Sequence, residues 1–418
     1  MIPGSLRILV ATALIAIVTP GEAAPAPGSL LPGGPSKWKL AWSEEFDGPD
    51  AKLDERWNSQ NGPSGHILCS RWRENAVVKD GMLRLVNRKE KRGGQDWTSG
   101  SILTKEKFLY GYFECRYRHA AAEGTNNSFW LMTQNKEKPA KGKNFEIDIN
   151  EGHYPNEINT NIHNWSDIKV VNGKKTHPSS SKSFSFGVRP DVTIQLEIPV
   201  KTRRVRLTST HGSHFHLGEF RIYNANPAGY PDPFSATADK DKPGIVNFAR
   251  DAAVKVSGTH ETAKDSARNL VDGKINTTWV SQIDGGKSAE FNLASEQTIG
   301  CIQFIHGRKE NGSWKSMMDN YRVEYHDGSK WVLMAKFDIL EGQYNFARDF
   351  HTYGLEWNEK EIVFYFNGKA IRREKNTFCF SESPVWLSLA IIKWAGNVTD
   401  AIDGTFMEVD YVRIYQRK

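Results

Sequence analysis

Cysteine is scarce in this chain: four in 418 residues, at positions 69, 115, 301 and 379. That excludes a disulfide scaffold and any zinc site built on closely spaced cysteine pairs. The one candidate bridge joins Cys69 to Cys115. Charge of one sign is also in short supply, since 55 Lys and Arg against 49 Asp and Glu leave only +6. So mild and dispersed a balance gives no footing for a nucleic-acid partner. Long apolar runs are missing as well. The run from Ile8 to Val18 falls well short of the about 20 residues that cross a bilayer, so no membrane span is expected.

Between residues 38 and 165 no useful stretch has helical periodicity. What the chain has instead is 35 Gly, 18 Pro, 13 Trp, 13 Tyr and 21 Phe, the composition of a strand-and-turn protein with surfaces able to stack on flat ligands. Arg7, the apolar run and the small residues Gly21 to Ala24 read as a signal peptide over 1–24, so a secreted or periplasmic protein is expected. Residues 25–37, rich in Pro, Gly and Ala, read as a flexible leader.

From Trp38 onward, short alternating runs such as Gly81 to Val86 and Gly111 to Tyr117 lie between turn clusters, the pattern of half-buried antiparallel strands. An all-β sandwich follows. The end of the chain, from His351 to Tyr415, has the same style, whereas the middle has a different vocabulary. We therefore expect a host domain in two parts, 38–183 and 341–418, interrupted by an inserted domain over 184–340, because insertions are tolerated at surface loops. A monomer is expected.

The most informative stretch is Phe145-Glu146-Ile147-Asp148-Ile149-Asn150-Glu151. Its apolar residues fall on one parity, and Glu146 and Asp148 fall on the other, so those two acids share a strand face. Strict alternation would send Glu151 to the core, a costly place for a carboxylate. A β-bulge near Ile149 or Asn150 would insert one residue and bring all three acids onto one surface. Acids so crowded cannot all ionise together, and at least one pKa should rise. A charged nucleophile beside a protonated acid is what retaining glycoside hydrolysis requires. An ordinary solvated strand face is the competing reading of the same residues.

Glu146 to Glu151 resembles the E-x-D-x-x-E signature of glycoside hydrolase family 16. Supporting matches run in the family's order: Trp42 to Gly48, Gly111 to Glu114, Ser128 to Leu131, Phe350 to Trp357 and Val409 to Tyr415. The resemblance covers residues 38 to 165 and 345 to 418. It implies a concave β-jelly roll and endo-acting, retaining cleavage of a β-linked polysaccharide, with Glu146 as nucleophile, Asp148 as its hydrogen-bonding neighbour and Glu151 as acid/base. The six-residue form resembles laminarinases, agarases, porphyranases and carrageenases. Asn126-Asn127-Ser128 stands where many laminarinase-like members have Pro-Ala before Phe-Trp, which leans the substrate towards a red-algal galactan, with a β-1,3-glucan beside it. A non-catalytic polysaccharide-binding protein and a transglycosylase are the alternatives on the same fold.

Sugar rings stack on indole, so Trp130, Trp72, Trp165 and Trp394 are candidate substrate contacts, each with a core position as its bland alternative. His163 should lie on the strand after the acids, where an imidazole could orient a carboxylate. His153 and Asn161 are weaker candidates of the same kind. The inserted segment resembles a discoidin-like domain of the kind found in family 32 carbohydrate-binding modules, with its closing strands, Arg203 to Leu207 and Gly218 to Tyr223, ahead of its opening, as if circularly permuted. By that likeness Asp272 and Glu219 match a structural Ca²⁺ position, and a second Ca²⁺ near Glu45 and Asp410 is expected on the same grounds. No cofactor is expected for catalysis.

Overall fold

A computed structural model describes residues 26–133, 139, 141–261, 263, 267–310 and 313–418. The expected signal peptide lies outside them. The described chain divides into two compact units, one formed by Gly187–Gly342 and the other by the residues before and after it, to Phe186 and from Gln343.

The split unit is built from two antiparallel sheets. Seven strands form the one that carries the acids: β1 (Trp57–Ser59), β2 (Ser101–Thr104), β3 (Thr125–Met132), β4 (Phe145–His153), β5 (Glu157–Asn164), β6 (Ser179–Ser185) and β7 (Val385–Ile391). Their order across the sheet is β6-β5-β4-β3-β7-β2-β1. The second sheet is eight-stranded and centres on Gly111–Arg118, His351–Trp357 and Phe406–Arg417. Alternation explains the packing: Phe129, Leu131, Phe145, Ile147, Leu387 and Leu389 point inward from the first sheet to meet Phe113, Tyr117, Leu355, Val409 and Ile414 from the second. This interior is the main core, and it leaves the opposite face of the first sheet to polar side chains.

The unit from Gly187 to Gly342 has its own sheet and its own core. Two long strands, Asp191–Ser209 and Lys287–His306, pair along most of their length and are kinked by register shifts, and His216–Asn224 lies on the other side of the second. Phe220, Phe291 and Phe304 stack at its centre beside Trp279 and Leu207. The residue runs 203–207 and 218–223 thus share a sheet with the segments that follow them in sequence.

All four cysteines are free and buried, which corrects the expected Cys69 to Cys115 bridge. Cys69 packs in a separate small cluster beside Ile391 and accepts its N–H at 3.4 Å, whereas Cys115 lies between the two sheets. Three of the four acids expected near a structural cation lie beside arginines. Glu45 pairs with Arg413 at 2.8 Å, Asp410 with Arg116 at 2.6 Å and Glu219 with Arg250 at 2.8 Å. Asp272 accepts from the Thr277 hydroxyl and the Lys274 N–H, which closes its own loop.

Candidate active site

The site grows from one irregularity in β4. Asp148 lies opposite Asn161 of β5 and Trp130 of β3, but the next partners are Glu151 with Asn159 on one side and Asn150 with Phe129 on the other. One extra residue is inserted, as a bulge requires. Ile149 and Asn150 both turn inward: Ile149 joins the main core, and Asn150 donates through Nδ2 to the Tyr117 hydroxyl at 2.7 Å. Glu151 is thereby returned to the face of Glu146 and Asp148. The glycine after it is required on the inner side, since a Cβ at Gly152 would lie 2.3 Å from the His119 ring.

Each carboxylate has distinct partners. Glu146 accepts the Trp165 indole N–H at 2.9 Å. Asp148, 3% exposed, places Oδ2 3.2 Å from His163 Nε2 and is hydrogen-bonded to Glu146. Glu151 is clamped by two amides, Asn126 Nδ2 on Oε1 and Asn161 Nδ2 on Oε2, both at 2.7 Å. Burial, and then the charge of Asp148, push the Glu146 carboxyl up to about 9. Burial first and Glu151 next push Asp148 well above the usual range. Between them the acids therefore hold at least one proton at neutral pH, and that proton belongs to the cluster. The ligand atoms of Glu146, Asp148 and His163 lie within 4.8 Å of one another, the one such three-ligand group among the described residues, and could also accept a divalent cation.

Aromatic rings flank the acids across the sheet. Trp130 stacks on Trp386 at 4.7 Å and anchors its Nε1 on the Ser388 hydroxyl. It is half-buried, so part of its ring is left for a ligand. Trp165 stacks on His163 and meets His177 at a tilt of 33°, with a centroid separation of 3.8 Å. Trp72 has one face covered by the Arg92 guanidinium at 3.8 Å and ties its Nε1 to Ser70. Trp394 is 66% exposed, on the turn that follows β7, and takes no part in the network around the acids. His153 is directed to Asn159 and Glu157 instead of the acids.

Three residues of the site escape reading from the sequence. Asn126 stood out only as a departure from a family pattern, and its amide holds Glu151. His177 lies between a short exposed hairpin and β6, yet its Nε2 meets His163 Nδ1 at 2.8 Å. His66 lies close enough to Glu151 and Arg71 to respond to both charges. No local pattern marks the last two, because contacts between remote loops decide their place.

Comparison with known proteins supplies the family. The family model for glycosyl hydrolases family 16 matches residues 66–191 and 324–413. A glucan endo-1,3-beta-glucosidase of Cryptopygus antarcticus is 32% identical over 139 residues, 30% of this chain and 51% of that protein. A kappa-carrageenase of Pseudoalteromonas carrageenovora is 28% identical over 153 residues, 32% of this chain and 37% of its own. The chain thus spans about half or less of the length of these relatives. Among solved structures, the laminarinase catalytic domain from Thermotoga maritima aligns over 91% of this chain and 99% of its own with 16% identity and a TM-score of 0.46. The matched segments take in the bulged strand and its neighbours and pass over most of the second unit, and on them the chain belongs to glycosyl hydrolases family 16.

Proposed function

We propose that the protein is an endo-acting, retaining glycoside hydrolase that cleaves internal β-linkages of a polysaccharide. One observation carries this reading: the bulge in β4 puts Glu146, Asp148 and Glu151 on one outer sheet face, with Trp165 bonded to Glu146, His163 3.2 Å from Asp148 and Asn126 bonded to Glu151. Glu146 acts as nucleophile and Glu151 as acid/base. Attack proceeds from the microstate of the cluster in which Asp148 holds the shared proton and donates it as a hydrogen bond to Glu146, so that Glu146 carries charge when the sugar carbon arrives. The reaction breaks the glycosidic C–O bond as the Glu146 C–O bond forms, with the Glu151 proton passing to the departing oxygen. Water, deprotonated by Glu151, then releases the sugar with its configuration retained.

Relatives named as glucanases make a β-1,3-glucan the first substrate to try, and the carrageenase relative keeps a red-algal galactan beside it. We read the Gly187–Gly342 unit as a permuted discoidin-like module that adds carbohydrate affinity, supported by the shared sheet of 203–223 with the segments that follow. Reducing-end release from laminarin, mixed-linkage β-glucan, agarose, porphyran and carrageenan tests the activity, with the anomeric configuration of the first product followed by proton NMR. Equal, negligible release by wild type and Glu146→Gln on every polymer would leave a binding protein. A product of inverted configuration would remove the nucleophile role.

A further inference from the structure

His177 is contributed by the loop between the hairpin strand Lys174–Thr176 and β6. It touches the two rings that face Glu146 and Asp148, His163 and Trp165. Its Nε2 lies 2.8 Å from His163 Nδ1, and the other nitrogen of His163 faces Asp148 at 3.2 Å. Its ring lies 3.8 Å from that of Trp165, whose N–H is given to Glu146. The backbone is pinned beside it, because Pro178 O accepts the Asn164 N–H at 2.9 Å. The ring is therefore held in place by the end of β5 even though the preceding hairpin is exposed.

We propose that His177 is a positioning residue that decides which nitrogen of His163 carries the proton, and with it whether an N–H or a lone pair faces Asp148. A neutral imidazole has one N–H. With His177 Nε2–H donating to His163 Nδ1, the His163 proton must sit on Nε2 and point at Asp148 Oδ2. An N–H dipole 3.2 Å from Oδ2 favours negative charge on that oxygen, which leaves the Asp148 proton for Glu146. Without that donor His163 is free to carry its proton on Nδ1, so that Nε2 becomes an acceptor competing with Glu146 for the Asp148 proton. The inference deepens the glycosidase reading and rests on it for its kinetic consequence, though not for the tautomer.

Two variants of the full chain separate donor from packing. His177→Phe keeps a ring against Trp165 and loses the donor, whereas His177→Gln restores an N–H. We expect His177→Phe to lower kcat about tenfold with KM within about twofold, and His177→Gln to recover to within about threefold of wild type. In nitrogen-15 spectra of histidine-labelled protein, His163 should show the Nε2–H form in wild type and His177→Gln and a mixture in His177→Phe. Unchanged His163 nitrogen shifts in His177→Phe overturn the proposal, whether kcat falls or not, because a fall would then come from packing. If wild type cleaves no polysaccharide, the glycosidase reading fails, and the nitrogen shifts alone decide the role of His177.

Discussion

Trp165 gives its indole N–H to Glu146 Oε2 at 2.9 Å from the far end of β5, so a residue 19 positions away supplies the hydrogen bond that favours the charged form of that carboxylate. The same bond opposes the burial and the Asp148 charge that raise Glu146. Trp165→Phe keeps most of the ring and removes the donor. The charged form of Glu146 then loses support, its pKa moves further up, and the acidic limb of the kcat/KM profile should move to higher pH. We expect a loss of about tenfold at pH 6 that narrows towards pH 9. A profile parallel to wild type at every pH would mean that the limb belongs to another group.

Glu146 also imposes a pH dependence on folding. Its folded pKa of about 9 lies above the ordinary 4.5, so between those values the folded state binds more protons than the unfolded chain. Stability must then fall as pH rises through that window. Glu146→Gln removes the titrating group and the repulsion with Asp148. The variant should lose hydrolytic activity by a factor of about 10³ or more. Its melting temperature should exceed that of wild type at pH 8 by about 2–4 °C for each kcal/mol of relieved repulsion, with the difference shrinking towards pH 4. Calorimetry at pH 4, 6 and 8 checks the sign. A variant less stable than wild type at pH 8 would show that the carboxylate gains more from Trp165 and His163 than it loses by burial.

The same strand shows what a sequence can and cannot display. Alternation alone places Glu146 and Asp148 together, since a period of two is a local property of extended backbone. Glu151 becomes visible only when the cost of a carboxylate in the core is weighed against one bulge, and the pairing of β4 with β3 and β5 contains that bulge. The core of the two-sheet unit was legible for the same reason, as Phe145, Ile147, Phe129 and Leu131 hold one parity. Partners remote in sequence were not. Arg413 lies 368 residues from Glu45 and takes its carboxylate in a two-pronged hydrogen bond that no local pattern around Glu45 announces. His177 and Asn126 are equally hidden, because nothing local requires a loop histidine to meet His163 or an asparagine to meet Glu151.

Trp130 has one ring face on Trp386 and lies directly across the ladder from Asp148, so under the proposed function its other face is the platform for a sugar ring. An indole stacked on the apolar face of a sugar contributes about 0.5–1.5 kcal/mol beyond buried area, by analogy with ring pairs. Trp130→Ala should raise KM about three- to tenfold on a long polymer, with a smaller change in kcat, while Trp130→Phe keeps half or more of the affinity. Initial rates on polymer and on short oligosaccharides separate the two constants. A fall in kcat alone would instead mean that Trp130 orients Asp148 and contributes nothing to ground-state binding.

In the second unit, Glu219 is 1% exposed and relies on Arg250, 2.8 Å away, and on the Gly273 N–H. Burial raises its pKa to about 7, and Arg250 is the largest opposing influence. Removing the guanidinium lets the folded pKa climb further, so the folded state must take up a proton at pH 8 or hold an unpaired buried charge. At pH 5 wild type and variant both have Glu219 protonated in the folded state, and the pair contributes little. Arg250→Ala should therefore cost about 1 kcal/mol more at pH 8 than at pH 5. Amide exchange of the strand His216–Asn224, corrected for intrinsic rates, gives a readout local to this unit. Equal loss of protection at both pH values would assign the role of Arg250 to its contacts with Asp239 and Val271 instead of to the Glu219 charge.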